Sequence, residues 1–188
     1  MVAKGWANAA RMRQPLIFAM NQTPTALVRA ATMVDLPAVQ ALYAELRPND
    51  PVLSPDEAQR LWREIVEDPH ACVVVAEIAE TLGATCMLAT IPNLASGGRR
   101  IGVIEHVITA AAFRRRGLAR LVLQHALDLA WQQGCCKVLL LSGVAREEAH
   151  GLYEAVGFRG DVERGFVAKP ATDAPSGTID RSHLRAQS

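Results

Sequence analysis

Arg114-Arg115-Arg116-Gly117-Leu118-Ala119 lies between an apolar strand-like run, Ile101 to Thr109, and a helix-like run that starts at Leu118. The helical run repeats apolar residues at Leu121, Val122, Ala126, Leu129 and Ala130, the spacing of one buried face. A basic, glycine-containing turn that opens a helix is a ready anion site. Unpaired backbone N–H groups and the positive end of the helix dipole both point at whatever lies there. Gly117 lets the backbone approach a ligand without a Cβ in the way. Ala119 keeps the next position open. Strand, cradle and helix together suggest a bound pyrophosphate.

Outward from this turn the chain alternates helical and extended patterns. Leu27 to Ala31 reads as a short first strand, and a helix is expected from about Asp35, its N-cap, with Val39, Leu42, Tyr43 and Leu46 on one face. Arg47-Pro48-Asn49-Asp50-Pro51 breaks it. Ser54-Pro55-Asp56-Glu57 is a capping box with proline at the first helical position. Behind it, Ala58, Leu61, Trp62, Ile65 and Val66 form an amphipathic stripe. Cys72 to Ile78 and Ala84 to Ile91 form a predicted hairpin about Glu80-Thr81-Leu82-Gly83, and Pro92 to Arg100 a loop. Lys137 to Leu141 is a continuous apolar strand, expected to be buried on both faces. A helix over about Glu147 to Val156 ends near Gly157, and Arg164 to Lys169 is a candidate last strand.

The strand-helix-strand unit 101–141 requires a parallel crossover, whereas the hairpin before it is antiparallel. The fold class is therefore α/β (α+β), with a mixed, mostly antiparallel central sheet and helices on both faces. At 188 residues the chain suits one domain with a sizeable core, expected over 27–169. Residues 1–26 carry Lys4, Arg11 and Arg13, and the first acidic residue of the chain is Asp35. They read as a disordered leader, or as an extension ahead of a usual start at Met20. The apolar patch Leu16 to Met20 is too short for a targeting core. Residues 170–188, small and polar, read as a disordered tail.

Composition narrows the function. The net charge of +1 argues against a general nucleic-acid binder. No apolar run approaches bilayer length. Cys72, Cys86, Cys135 and Cys136 lack metal or redox spacing, the five histidines are scattered, and no metal is expected. Reduced, buried cysteines fit a cytoplasmic protein. No G-x-S-x-G appears, and no cysteine sits in an electropositive turn, so a covalent nucleophile is not expected.

Arg114-x-x-Gly117-x-Ala119 resembles the Q/R-x-x-G-x-G/A motif of the GCN5-related N-acetyltransferases (GNAT), which bind the pyrophosphate of acetyl-CoA in this way. The order of features agrees. Ile104-Glu105-His106-Val107 precedes the motif, Gly134-Cys135-Cys136-Lys137-Val138-Leu139 follows its helix, and Ala149-His150-Gly151-Leu152-Tyr153-Glu154-Ala155-Val156-Gly157-Phe158 is similar to the family's A-x-x-[LF]-Y-E-x-x-G-F segment. The resemblance runs over roughly residues 27 to 169 and is strongest over 101 to 158.

This resemblance implies the GNAT fold, with a parallel β-α-β unit for acetyl-CoA, and direct transfer of the acetyl group to a primary amine in a ternary complex. It implies that backbone N–H groups of Arg115, Arg116, Gly117, Leu118 and Ala119 hold the pyrophosphate, with Arg114 and Arg120 beside it. Val107, Ile108 and Thr109 would pair with the pantetheine arm as an added strand. Tyr153 would be the acid that protonates the departing thiolate; on spacing alone it reads rather as a core tyrosine with Ala149, Leu152 and Val156. Glu105 would be the base, working through a water; its alternative is a structural ion pair. Its place nine residues before Arg114 resembles the glutamate of glucosamine-phosphate-type members. Those members carry Asp or Asn where this chain has His106, which strand alternation would turn away from Glu105. Arg146 stands where many members have Asn. Acceptor recognition is expected from the loops Arg47–Ser54 and Pro92–Arg100, through Asn49, Asp50, Asn93, Arg99 or Arg100. The acceptor is read as a small-molecule amine: an amino sugar, aminophosphonate or amino acid derivative. The rivals are a protein or peptide amine and a non-catalytic acyl-CoA-binding module. A homodimer follows from family habit.

Overall fold

The computed structural model describes residues 25–170; the expectations for the leader and for the tail beyond Pro170 lie outside them. The described residues fall into two units, one ending at Phe158 and the other starting at Arg159.

The first unit holds one five-stranded sheet: β1 (Leu27–Ala30), β2 (Ala71–Ile78), β3 (Thr81–Ile91), β4 (Ile101–Thr109) and β5 (Lys137–Leu140), in that spatial order. β1 to β4 are antiparallel neighbours. β5 returns parallel to β4, with Ile101 opposite Lys137 and Ile104 opposite Leu140. The helices are α1 (Leu36–Leu46), α2 (Pro55–Glu67), α3 (Leu118–Gln132) and α4 (Glu147–Ala155).

Strand alternation sorts the helices onto two faces. Cys72, Val74, Ala76 and Ile78 of β2 pack with Val122, Leu123, Ala126 and Ala130 of α3 and with Tyr153 of α4. Val73 and Val75, between them in sequence, pack with Val39 of α1 and Trp62 of α2. β2 is thus apolar at every position but Glu77, because it is covered on both sides. The mixed sheet with helices on both faces is the architecture expected from the sequence.

Local chemistry explains the boundaries. Ser54 caps α2 as a capping box, taking the Glu57 N–H while the Glu57 carboxylate takes the Ser54 N–H at 3.2 Å. Asp35 does not cap α1 with its side chain. It closes a 3-10 turn, Met33–Asp35, where its carboxylate accepts from the Thr32 N–H at 2.7 Å and from both terminal nitrogens of Arg29 at 2.8 and 2.9 Å. Arg29 also holds Glu77 of β2 at 2.9 Å, so one guanidinium ties β1, β2 and the entry to α1. Burial works against the charge on Asp35, but the bonds from Arg29 and Thr32 outweigh it and hold the carboxyl below the usual carboxylate range.

Two sequence expectations shift here. The hairpin turns at Ala79-Glu80, both at positive φ, and β3 begins at Thr81. Gly83 is an extra residue inside β3: Ala76 faces Ala84 while Glu77 faces Leu82. β5 is not buried on both faces. It lies at the end of the sheet order, half-covered, with Leu139 exposed.

In the second unit, residues 159–170 form no strand, so Arg164 to Lys169 does not extend as expected. Arg159 pairs with Asp161 at 2.8 Å.

Candidate active site

β4 and β5 stay paired only to Ile104 and Leu140, whereas β3 follows β4 to Thr109. From Glu105 onward β4 therefore lacks a β5 partner, and the sheet splits. A cavity of about 300 Å³ lies in the split, lined from β4 by Ile104, Glu105, His106 and Val107, from the end of β5 by Leu140 to Gly143, and by Leu46, Arg47, Arg146 and Tyr153. A strand edge with free N–H and C=O groups is a template for another extended chain. Val107, Ile108 and Thr109 lie on this free stretch.

A bulge in the β3–β4 pairing lies at the split. Thr85 of β3 faces Ile108 and Met87 faces Glu105, which leaves His106 and Val107 opposite Cys86 alone. His106 has φ +54, left-handed for a non-glycine residue. The extra residue reverses the alternation. Ile104 and Val107, three apart, both pack on the α3 side, and Ile108 packs with Leu42 on the α1 side. Met87, opposite Glu105, packs with the α1–α2 cluster, so Glu105 faces that side. The His106 ring lies over Tyr43 of α1, with centroids 5.1 Å apart. Glu105 and His106 therefore share a face, contrary to the alternation expected from sequence.

Tyr153 arrives from the other side. It is buried in the core with α3, and its ring meets Phe158 edge-on at 6.2 Å. The split thus lets groups from both faces of the sheet reach one cavity. Burial raises the pKa of the Tyr153 phenol, and the Glu105 carboxylate adds to this; the Arg146 charge and the Ser142 hydroxyl oppose it. The Ser142 hydroxyl acts on the phenol yet is not in hydrogen-bond geometry with any described residue. Ser142 was not among the residues singled out in the sequence; its signal is its place just past the end of β5, where an open α/β sheet presents ligands. Arg146, at the N-terminus of α4, reaches the cavity as well.

The basic turn lies beyond the free end of β4. Arg115 and Gly117 are left-handed, at φ +62 and +78, and a Cβ at Gly117 would meet nothing within 4 Å. Glycine serves there for its backbone freedom, with open space in front of it. The first bond of α3 runs from the Leu121 N–H to the Gly117 carbonyl, at 3.2 Å, so the N–H groups of Leu118, Ala119 and Arg120 have no intrahelical acceptor. Arg114, Arg115, Arg116 and Arg120 are exposed, and Arg116 lies 5.3 Å over the Phe113 ring. Ala111, at the start of this turn, donates its N–H to Glu45 of α1 at 3.0 Å. The Thr109 hydroxyl is buried without a partner among the described residues.

Other expected residues lie elsewhere. The loop 92–100 precedes β4 and lines a separate hollow of about 220 Å³ with Pro92, Asn93, Leu94, Gly98 and Arg100. Its polar groups are engaged: Asn93 takes the Ala95 N–H, Arg99 donates to the Ser96 carbonyl, and Arg100 meets His70 Nδ1 at 3.0 Å. Of the two loops expected to meet an acceptor, only the first lines the cavity, through Arg47; Asp50 pairs with Arg47 at 4.0 Å. Burial raises the thiols of Cys72, to about 12, and of Cys86 and Cys135. None of the three is a ready nucleophile. Among the described residues no group of His, Cys, Asp and Glu could hold a metal ion.

A family model described as the acetyltransferase (GNAT) family matches residues 39–158. Glucosamine 6-phosphate N-acetyltransferase of Trypanosoma brucei brucei is 34% identical over 68 residues, which are 36% of this chain and 44% of that protein. The match thus spans less than half the length of that curated relative. A solved candidate acetyltransferase of Agrobacterium tumefaciens str. C58 is 35% identical, with a TM-score of 0.73 over 77% of this chain and 99% of that one. Glucosamine-6-phosphate N-acetyltransferase of Arabidopsis thaliana shares the fold at 22% identity, with a TM-score of 0.69 over 78% of this chain and 99% of that one.

Proposed function

The chain belongs to the acetyltransferase (GNAT) family, and from that premise we propose that it carries the acetyl group of acetyl-CoA directly to the primary amine of a small molecule. The observation that carries this reading is the split between β4 and β5, with an anion cradle beyond one wall and a carboxylate and a phenol inside. The residues fit the cofactor. Open space stands before Gly117, three helix-terminal N–H groups lack intrahelical partners, and the free β4 edge leads from the cradle to the cavity. In this reading Arg115 to Ala119 hold the pyrophosphate by backbone N–H groups, with Arg114 and Arg120 nearby. Val107, Ile108 and Thr109 pair with the pantetheine arm.

Acyl transfer to an amine needs a neutral amine and a proton for the departing thiolate. Glu105, on the α1 side of the split, takes the amine's proton through a bridging water. Tyr153, on the α3 side, gives its proton to the sulfur. A thiol titrates at about 8.5 and a free tyrosine at about 10. Burial lifts Tyr153 further and keeps the phenol protonated, as a donor must be. Attack and proton donation are then concerted, with no acyl-enzyme.

The cavity of about 300 Å³ suits a small acceptor. Arg47 and Arg146 beside Glu105 favour an amine that also carries an anionic or oxygen-rich group: an amino sugar, aminophosphonate or amino acid derivative. The protein works in the cytoplasm as a homodimer in this reading. Thiol release from acetyl-CoA across a panel of such amines, with mass detection of the product, tests it. Acetylated amine from at least one of these classes is expected. Exclusive acetylation of peptide amines, or bound acetyl-CoA with no turnover on small or peptide amines, would overturn it.

A further inference from the structure

The mechanism above leaves His106 unused, yet the fold goes to some length to put it in the cavity. It occupies the left-handed position of the bulge, and that bulge turns it onto the same face as Glu105. Histidine is among the residue types that adopt this backbone more readily than most. Tyr43 holds the ring from one side. Nδ1 is buried without a hydrogen-bond partner among the described residues. Nε2 likewise has no partner among them but is not buried, and His106 lines the cavity.

These facts select a tautomer. A proton on the buried Nδ1 would be a donor with no acceptor among the described residues, which is costlier than leaving a bare lone pair there. The proton belongs on Nε2, where the cavity can supply an acceptor. The imidazole is thus a fixed donor beside the carboxylate. We infer that His106 is a specificity-determining residue of the acceptor site, donating from Nε2 to an oxygen carried on the carbon next to the amine-bearing carbon. The acceptor class this selects is the vicinal amino alcohol, as against a plain alkylamine of the same size. The inference rests on the acetyl-transfer reading for its substrate, but not for its tautomer.

Two matched probes test it: trans-2-aminocyclohexanol and cyclohexylamine, which differ by one hydroxyl. In the full chain saturated with coenzyme A, imidazole nitrogen NMR should show His106 with its proton on Nε2. Those signals should shift with the amino alcohol and not with cyclohexylamine. In turnover with acetyl-CoA, the kcat/KM ratio of amino alcohol to amine should fall by roughly 2- to 12-fold in His106→Phe, the worth of one neutral hydrogen bond. His106→Gly, which suits the left-handed backbone, should lose the same preference if the Phe variant folds poorly. A proton on Nδ1, equal NMR responses to the two probes, or an unchanged ratio in a folded variant would overturn the assignment. If neither probe is acetylated while the NMR response discriminates, the transfer reading fails for these amines and the recognition role of His106 stands.

Discussion

Alanine at Gly83 would place a methyl carbon 2.6 Å from Leu118 Cδ1 and 2.8 and 2.9 Å from two ring carbons of Phe113. Ordinary carbon contacts lie at about 3.5–4.0 Å. Neither neighbour can yield locally. Leu118 is 1% exposed and is the first residue of α3, and Phe113 precedes the arginines and bears Arg116 on its ring. The Gly83 carbonyl also takes the Ala110 N–H at 2.9 Å, which fixes this glycine to the same turn. Relief must therefore move the start of α3, and with it the N–H groups of the cradle. Overpacking of this kind costs about 1–3 kcal/mol. At about 2–4 °C per kcal/mol for a domain this size, Tm should fall by roughly 2–12 °C. Coenzyme A affinity, measured by titration calorimetry, should weaken by about tenfold if some 1.4 kcal/mol of the strain is relieved at the cradle. Gly151, inside α4 with nothing within 4 Å of a Cβ, is the control: Gly151→Ala should stabilise by about 0.5–1 kcal/mol. A Gly83→Ala protein that melts with the parent and binds coenzyme A as tightly would refute the link between this glycine and the cradle.

Other substitutions probe the remaining parts. Gly117→Glu adds a side chain at a positive φ and a negative charge at the helix start, and should abolish measurable coenzyme A binding in a folded protein; unaltered affinity would remove the cradle from the account. Glu105→Gln keeps the shape without the base, so turnover should fall most at low pH, where the amine is protonated; a superimposable pH–rate profile would assign Glu105 to structure. Asp35 has its pKa lowered in the fold, so its contribution is complete above the unfolded carboxylate value of about 3.9 and is lost as pH falls through the lower folded value. Asp35→Asn should cost about 1–3 kcal/mol near neutrality and flatten the acid limb of a stability–pH curve; equal acid limbs would contradict the role given to the Arg29 pairing.

Much of this was legible because the signals are local. The capping box at Ser54, the stripe behind it and the basic turn at Arg114–Gly117 each declare themselves within a few residues, and the structure has them where the sequence puts them. What escaped depends on pairing between distant strands. The period-2 rule assigned His106 to the far face because nothing in Ile104-Glu105-His106-Val107 announces a bulge; the extra residue exists only in the register against Thr85 and Met87. The apolar runs leave Glu80 to Gly83 as the hairpin connection, but Ala79 and Glu80 turn the chain, β3 already begins at Thr81, and Gly83 is needed where Leu118 and Phe113 press in. Apolarity in Lys137 to Leu141 suggested a covered strand, but coverage depends on what lies beyond it in the sheet, which its own residues do not encode. The loop 92–100 is expected at the cleft from the resemblance to the family's fold, but it does not line the cavity, and Asn93 and Arg99 bond to the loop's own backbone.

Tyr153→Phe tests the central claim most directly, because it separates an acetyltransferase from a module that only binds the cofactor. The change removes one hydroxyl and leaves the ring against Phe158, so folding and coenzyme A affinity should hardly move. If the phenol protonates the departing thiolate, turnover on an amine acceptor should drop by roughly 10²- to 10⁴-fold, the scale of general acid catalysis. A folded, cofactor-binding Phe variant that turns over within a few-fold of the parent would contradict the claim.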